Sequence, residues 1–279
     1  MHTWDDAARL WLVEKKHKAD IDRDTQKLEW LKPYFGGKPL AQIDREAVMA
    51  VAWEKAKATS PATANRLLAL IRAIFRRACR VWEWIDRMPF VELFPESEGR
   101  VRWITPDQAR ALFNELPPHQ LDMVLFALAT GLRQGNVLRL EWSQVDMRRK
   151  LAWIHKDQAK GRRSFSVPLN ETAMATLNRC KGKHPSRVFT YRGRPIAWAN
   201  TKAWRQALRR AGIQNFRWHD LRHTWASWHV QHGTPLYVVQ DLGAWRSEAM
   251  VRRYAHLAPS QYAEHASAID RAFGHKRFR

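Results

Sequence analysis

Two cysteines in 279 residues, Cys79 and Cys180, cannot staple a disulfide framework, and their positions fit neither a zinc cage nor a redox pair. Such scarcity fits a reducing compartment. Long hydrophobic runs are missing as well. The longest, Met123 to Ala129, is far too short to cross a bilayer. The N-terminus carries no secretory pattern, because Asp5, Asp6, Glu14 and Lys15 interrupt its apolar positions. A cytoplasmic protein without a membrane span is expected. No internal repeat and no low-complexity segment is found, so solenoids and disordered tails are excluded. Acid is scarce relative to base: 27 Asp and Glu stand against 48 Lys and Arg, a formal net charge of +21. An excess of this size calls for a polyanion, and duplex DNA offers about one phosphate charge per 1.7 Å of axis. The basic residues are spread along the whole chain and form no juxtamembrane cluster, which argues against a membrane partner.

What is present suffices for a folded core. Hydrophobic residues make up 45% of the chain, and its length is comfortable for two domains. Residues 3 to about 85 read as four helices. Thr3 with Asp6 forms a capping box ahead of Ala7, Ala8, Leu10 and Trp11. A second helix runs from about Asp22 to Tyr34 and stops at Gly36-Gly37. Asp44 caps a third, and Ser60-Pro61 opens a fourth with proline at its first position. This fourth helix carries Leu67, Leu70, Ile71, Ile74, Phe75 and Ala78 at core spacing, with Arg66, Arg72, Arg76, Arg77 and Arg80 on its other sides. Those arginines are a solvated face or a DNA-facing one.

Residues 89–102 read as a linker between a helical domain, 1–88, and a second domain, 103–279. The second domain opens with Thr105-Pro106-Asp107-Gln108, again a capping box, and continues with helices around 106–115 and 119–130. Leu151 to His155 and Ser164 to Leu169 alternate and are joined by a basic turn, so a small hairpin is expected there. From Asn170 onward the pattern is helical. The expected fold class is mainly α with a small β-hairpin or sheet.

Breaking a phosphodiester without a metal needs a nucleophile, cations on the non-bridging oxygens and a proton donor for the leaving oxygen. A metal route finds little support. His219 and His223 stand four apart, but the glutamate of a zinc-protease helix is missing and no Cys or carboxylate pair completes a cage. The other parts occur in order. Ala129-Thr130-Gly131-Leu132-Arg133 ends an apolar helix and presents an arginine; Lys160 lies in the hairpin turn. His219-Asp220-Leu221-Arg222 places a histidine and an arginine three apart, and Leu242-Gly243-Ala244-Trp245 precedes Arg253-Tyr254-Ala255-His256-Leu257. Singly, each has a bland reading: a helix C-terminal cation, a half-buried imidazole, one tryptophan among 15, a core tyrosine.

Taken in order, these residues resemble the tyrosine recombinase, or phage integrase, family, and the resemblance covers nearly the whole chain. It implies a two-domain architecture, with a helical core-binding domain followed by a mixed α/β catalytic domain ending in a C-terminal tail. It assigns Arg133 and Arg222 to grip the scissile phosphate, a task suited to a planar guanidinium fork that stays charged. Lys160 matches the hairpin lysine that protonates the departing 5′ oxygen, and His219 the histidine that helps move the nucleophile's proton. Trp245 matches the His/Trp position packed beneath the phosphate, and Tyr254 the nucleophile. One position departs from the pattern: three residues after the first arginine the family has an acid, where this chain has Asn136, an amide able to substitute for it by hydrogen bonding to position the arginine.

The resemblance further implies site-specific integration and recombination of a phage or other mobile element, without metal, ATP or other cofactor. Strands would be exchanged through a 3′-phosphotyrosyl intermediate and a Holliday junction. The partners it implies are double-stranded DNA carrying a core site and a homotetramer assembled on it from monomers. A directionality or DNA-bending accessory protein and the bacterial host cytoplasm complete the expectation. Many phage integrases carry an arm-binding domain ahead of the core-binding one, whereas this sequence opens almost directly with the core-binding helices. Two alternatives stay open: relaxation of DNA by type IB topoisomerase chemistry, and a DNA-binding remnant of the fold that has lost the reaction.

Overall fold

The computed structural model describes residues 1–96, 100–159, 163–258 and 266–272. The chain forms two compact units, Met1–Gly99 and Arg100–Arg279.

Among its described residues the first unit holds α1 (Trp4–Glu14), α2 (Ile21–Phe35), α3 (Arg45–Ala58) and α4 (Pro61–Arg80), with a short 3-10 turn at Leu40–Gln42. Local chemistry starts three of the four helices. The Thr3 hydroxyl accepts from the Asp6 amide while the Asp6 carboxylate accepts from the Thr3 amide; Asp44 and Ser60 cap α3 and α4 by one bond each, accepting from the Ala47 and Thr63 amides. Burial then orders them. Leu67, Leu68, Ile71, Ile74 and Phe75 of α4 pack into one core with Trp4, Leu31, Phe35 and Val48. Each of these side chains contributes about 1.5–3 kcal/mol through removal from water.

The segment read as a linker divides. Val91 is buried in the first core, and Asn65 of α4 brackets Phe94, its side chain accepting from the Phe94 amide at 2.8 Å and donating to the Phe94 carbonyl at 2.9 Å. Residues up to 96 therefore belong with the first unit, and Arg100 onward with the second.

The second unit begins with α5 (Pro106–Glu115), α6 (Pro118–Thr130) and α7 (Gln134–Leu138). A three-stranded antiparallel sheet follows, β1 (Val145–Asp146), β2 (Leu151–Ile154) and β3 (Phe165–Pro168), in the order β1-β2-β3. β2 and β3 pair with Ala152 opposite Val167, which sends Ala152, Ile154 and Val167 into the core. After α8 (Glu171–Cys180) comes a two-stranded ribbon, β4 (Thr190–Tyr191) with β5 (Arg194–Pro195). The chain continues through α9 (Lys202–Arg210), α10 (Asp220–Gln231), α11 (Leu236–Leu242) and α12 (Ala249–Arg252), and a last described helix covers Ala268–Ala272. β1 and the β4-β5 ribbon were not foreseen; at two residues each they carry no readable alternation. Among the described residues no helix is long and apolar enough to cross a membrane.

Two buried helices, α6 and α10, pack against each other and position the site. α6 buries Met123, Val124, Phe126 and Ala127 and ends at Gly131, whose φ of +64° suits glycine. A Cβ at Gly131 would also run into the Trp225 ring of α10, so two demands fall on this residue.

Candidate active site

Gly131 turns the chain at the end of α6, and two residues later Arg133 takes the cap position of α7 with extended backbone, φ −67° and ψ 148°. Its half-buried guanidinium loses solvation, which lowers its pKa. Arg222 comes from the first turn of α10 and is only 4% exposed. It donates to the Gly131 carbonyl at 2.5 Å and to the Gly243 carbonyl, and it lies over the Trp245 ring at 4.1 Å from the ring centre. One side chain thus ties together the turn that leads to Arg133 and the turn that leads to Trp245. Burial, reinforced by the charge of Arg133, pushes the Arg222 pKa down to about 9. Among the described residues neither arginine has a carboxylate in salt-bridge range. Two neighbouring cations, one of them buried, without a counter-anion are costly to keep, and an anion entering between them removes that cost.

Trp245 follows Ala244, which sits in the left-handed region at φ 48°, and its amide donates to the Gln240 carbonyl at 3.0 Å. The indole lies 5.8 Å from the Trp225 ring and 6.0 Å from the Tyr254 ring. Tyr254 is 1% exposed, packed in a small core with Trp225, Val239 and Val251. Burial raises its phenol to about 12, although the charges of Arg222 and Arg253 pull in the other direction. Its hydroxyl is not free in this core: Tyr254 Oη and His223 Nδ1 share a hydrogen bond of 2.5 Å.

His223 belongs to the site, and sequence reasoning missed that role, treating it as half of an incomplete metal pair. The signal available was its spacing of four from His219, which puts both on one face of α10. The two rings meet edge to face at 5.1 Å. His219 itself is exposed, at the start of α10. Burial first, then the His219, Arg253 and Arg222 charges, lower the His223 pKa to about 4, with Asp220 opposing. The ring is therefore neutral at physiological pH and can accept a proton.

Asn136 also behaves differently from the expectation that its amide positions the arginine. It is 3% exposed, and its side-chain nitrogen donates to the Gln158 carbonyl at 3.0 Å. Gln144, 2% exposed, donates to the Gln158 side chain at 2.7 Å. Asn136 thus fastens the turn just ahead of Lys160 instead of the guanidinium of Arg133. Lys160 itself lies outside the described residues. Arg133, Arg222, Trp245 and Tyr254 are brought together around one point, with His219 joined to them through His223.

Comparison with known proteins bears on this arrangement. The model of the phage integrase family matches residues 102–261, and that of the phage integrase central domain matches residues 4–90. The integrase of Salmonella phage P22 is 38% identical over 98% of this chain and 81% of its own length. A shufflon-specific DNA recombinase of Escherichia coli is 32% identical over 71% of this chain, which spans only 52% of that relative. Among solved structures, a lambda integrase tetramer bound to a Holliday junction superposes with a TM-score of 0.74 at 18% identity, covering 90% of this chain and 75% of that one. The Tn1549 transposon integrase in complex with circular intermediate DNA gives 0.74 at 16% identity, covering 91% and 95%. At these identities the structural likeness speaks for the fold.

Proposed function

The chain belongs to the phage integrase family, and from that premise we propose that it cuts and rejoins DNA at a specific core site through a 3′-phosphotyrosyl link on Tyr254. It is a site-specific DNA recombinase. The observation that carries the residue assignment is a pair of guanidinium groups, Arg133 and Arg222, that have no carboxylate partner among the described residues and are set beside a buried phenol.

Arg133 and Arg222 bind the non-bridging oxygens of the scissile phosphate, replacing lost hydration with charge-assisted hydrogen bonds. The Tyr254 oxygen attacks phosphorus, and the bond to the 5′ oxygen breaks. Lys160 supplies the proton to that oxygen, and His219 assists on the nucleophile's side. Trp245 supports Arg222 from below through its ring face. Tyr254 is enclosed, so binding of DNA has to bring phosphate and phenol together before attack. The phosphodiester energy stays in the phosphotyrosine, so neither ATP nor a metal is required for rejoining. A 5′ hydroxyl from a partner duplex then attacks the phosphotyrosine, and a homotetramer on two core sites carries the exchange through a Holliday junction. The reaction takes place in the bacterial host cytoplasm, with an accessory bending or directionality protein as a further partner.

The test is covalent trapping on nicked suicide DNA carrying the element's own attachment core. Wild type is expected to form a protein–DNA adduct and Tyr254→Phe none. Tight binding by wild type with no adduct would overturn the assignment in favour of a binding-only protein.

A further inference from the structure

We propose that His223 is the base that takes the phenolic proton of Tyr254 during strand cleavage and gives it back during rejoining, a role that rests on the recombinase reading above. Tyr254 Oη is enclosed, and its hydrogen bond runs at 2.5 Å to His223 Nδ1. His223 is itself 9% exposed and held in the first turn of α10, so little room is left for a water to serve instead. The bond requires one ring arrangement for this role: Nδ1 unprotonated and facing the hydroxyl, Nε2 carrying the hydrogen.

The step balances as follows. As the Tyr254 oxygen forms its bond to phosphorus, the phenolic proton moves to His223 Nδ1 and the ring becomes imidazolium. The electron pair of the breaking P–O bond leaves with the 5′ oxygen, which takes its proton from the acid on the other side. In rejoining, the incoming 5′ hydroxyl attacks the phosphotyrosine, and the departing tyrosine oxygen recovers the proton from His223. One residue acts as base and then as acid, as reversal of a step demands.

The surroundings couple this proton transfer to the substrate. The charged and titratable groups acting on His223 are His219, Asp220 and Arg222 on its own helix and Arg253 from the segment that carries Tyr254. Three of these four oppose a positive ring, and Asp220 alone favours it. A phosphodiester anion bound by Arg133 and Arg222 offsets that positive field. The proton affinity of His223 therefore rises when the scissile phosphate is seated. Without DNA the same bond holds the phenol protonated and out of solvent, so the nucleophile is kept from reacting elsewhere.

The deciding experiment measures single-turnover adduct formation by wild type, His223→Gln and His223→Ala on two nicked suicide duplexes. One carries the ordinary attachment core, the other the same core with sulfur at the 5′ bridging position of the scissile phosphate. Glutamine can accept the hydrogen bond but cannot take the proton, and it is the variant that decides if alanine fails to melt cooperatively. A thiolate leaves without protonation, so sulfur rescues defects on the leaving-group side only. The expected result is a loss of about 10²-fold or more for both variants on both duplexes, with core-site binding retained. The ascending limb of the wild-type pH–rate profile should also flatten in His223→Gln. Recovery of the wild-type rate by glutamine would reduce His223 to a hydrogen-bonding prop and overturn the proposal. Rescue by sulfur would overturn it by moving the defect to the leaving group. An unchanged or faster rate would overturn it by making the bond a resting latch only. If wild type itself forms no adduct on either duplex, it is the recombinase assignment that fails.

Discussion

Helices α4 and α10 each bury nine residues, for opposite reasons. α4 spans 20 residues and buries an apolar stripe, with Arg66, Arg76 and Arg80 on its exposed side. Its position follows from the removal of leucine, isoleucine and phenylalanine from water. α10 spans 12 residues and buries Asp220, Arg222, His223, Thr224 and Ser227 along with Leu221, Trp225, Ala226 and Val230. Most of these polar groups have partners, whereas the Ser227 hydroxyl has none among the described residues. Asp220 accepts from the Arg217 amide at 2.8 Å and from Arg100 at 3.2 Å, while Thr224 donates to the Asp220 carbonyl and accepts from the Ile104 amide. Among the described residues Arg222 has two carbonyls and no carboxylate, and His223 has the phenol of Tyr254. In α4 burial makes stability. In α10 it holds charge and a proton acceptor in an arrangement that, under the proposed function, the scissile phosphate completes.

Four substitutions sharpen the contrast, from the largest expected effect to the smallest. Phe75→Ala, at a site with no exposure, should destabilise by about 3–5 kcal/mol in urea titration. Adduct formation by the still-folded protein at saturating concentration should be unchanged. A loss of cleavage without a loss of stability would break the division of labour. Arg222→Lys should do the reverse: cleavage falls by about 10²–10³-fold while a cooperative melt is retained, because an ammonium cannot reproduce the planar fork that reaches two carbonyls and a phosphate. Full activity with lysine would show that charge alone suffices. Smallest is the effect of Arg66→Ala or Arg76→Ala on the exposed side of α4. Each is expected to reduce the slope of log binding constant against log salt by about 1, with little change in cleavage once DNA is saturating. An unaltered slope would make this a solvated face.

The sequence was most legible where the physics is local. Thr3 with Asp6, Asp44, Ser60 and Thr105 with Gln108 each start a helix where expected, because a cap bonds within three residues of itself. The second helix, read as Asp22 to Tyr34, runs Ile21–Phe35, and the expected hairpin is present as β2 and β3. Two-residue strands such as β4 and β5 were invisible because no period fits so short a run. The tying of Phe94 to the first unit was also hidden, since it depends on Asn65, 29 positions before it.

By itself, then, the sequence determined the helices, the hairpin, the strong positive charge and the ordered residues that mark the family. These depend on caps, periodicity, composition and order, all of which act over a few neighbouring positions or need no geometry. Only the tertiary structure decided who meets whom. It paired His223 with a tyrosine 31 residues away, sent Asn136 to Gln158 instead of to Arg133, and left Arg222 buried with no counter-charge among the described residues. The physical reason is that a side chain's role in a site depends on distances and on lost solvent, and both exist only once α6, α10 and the segment around Tyr254 have packed together.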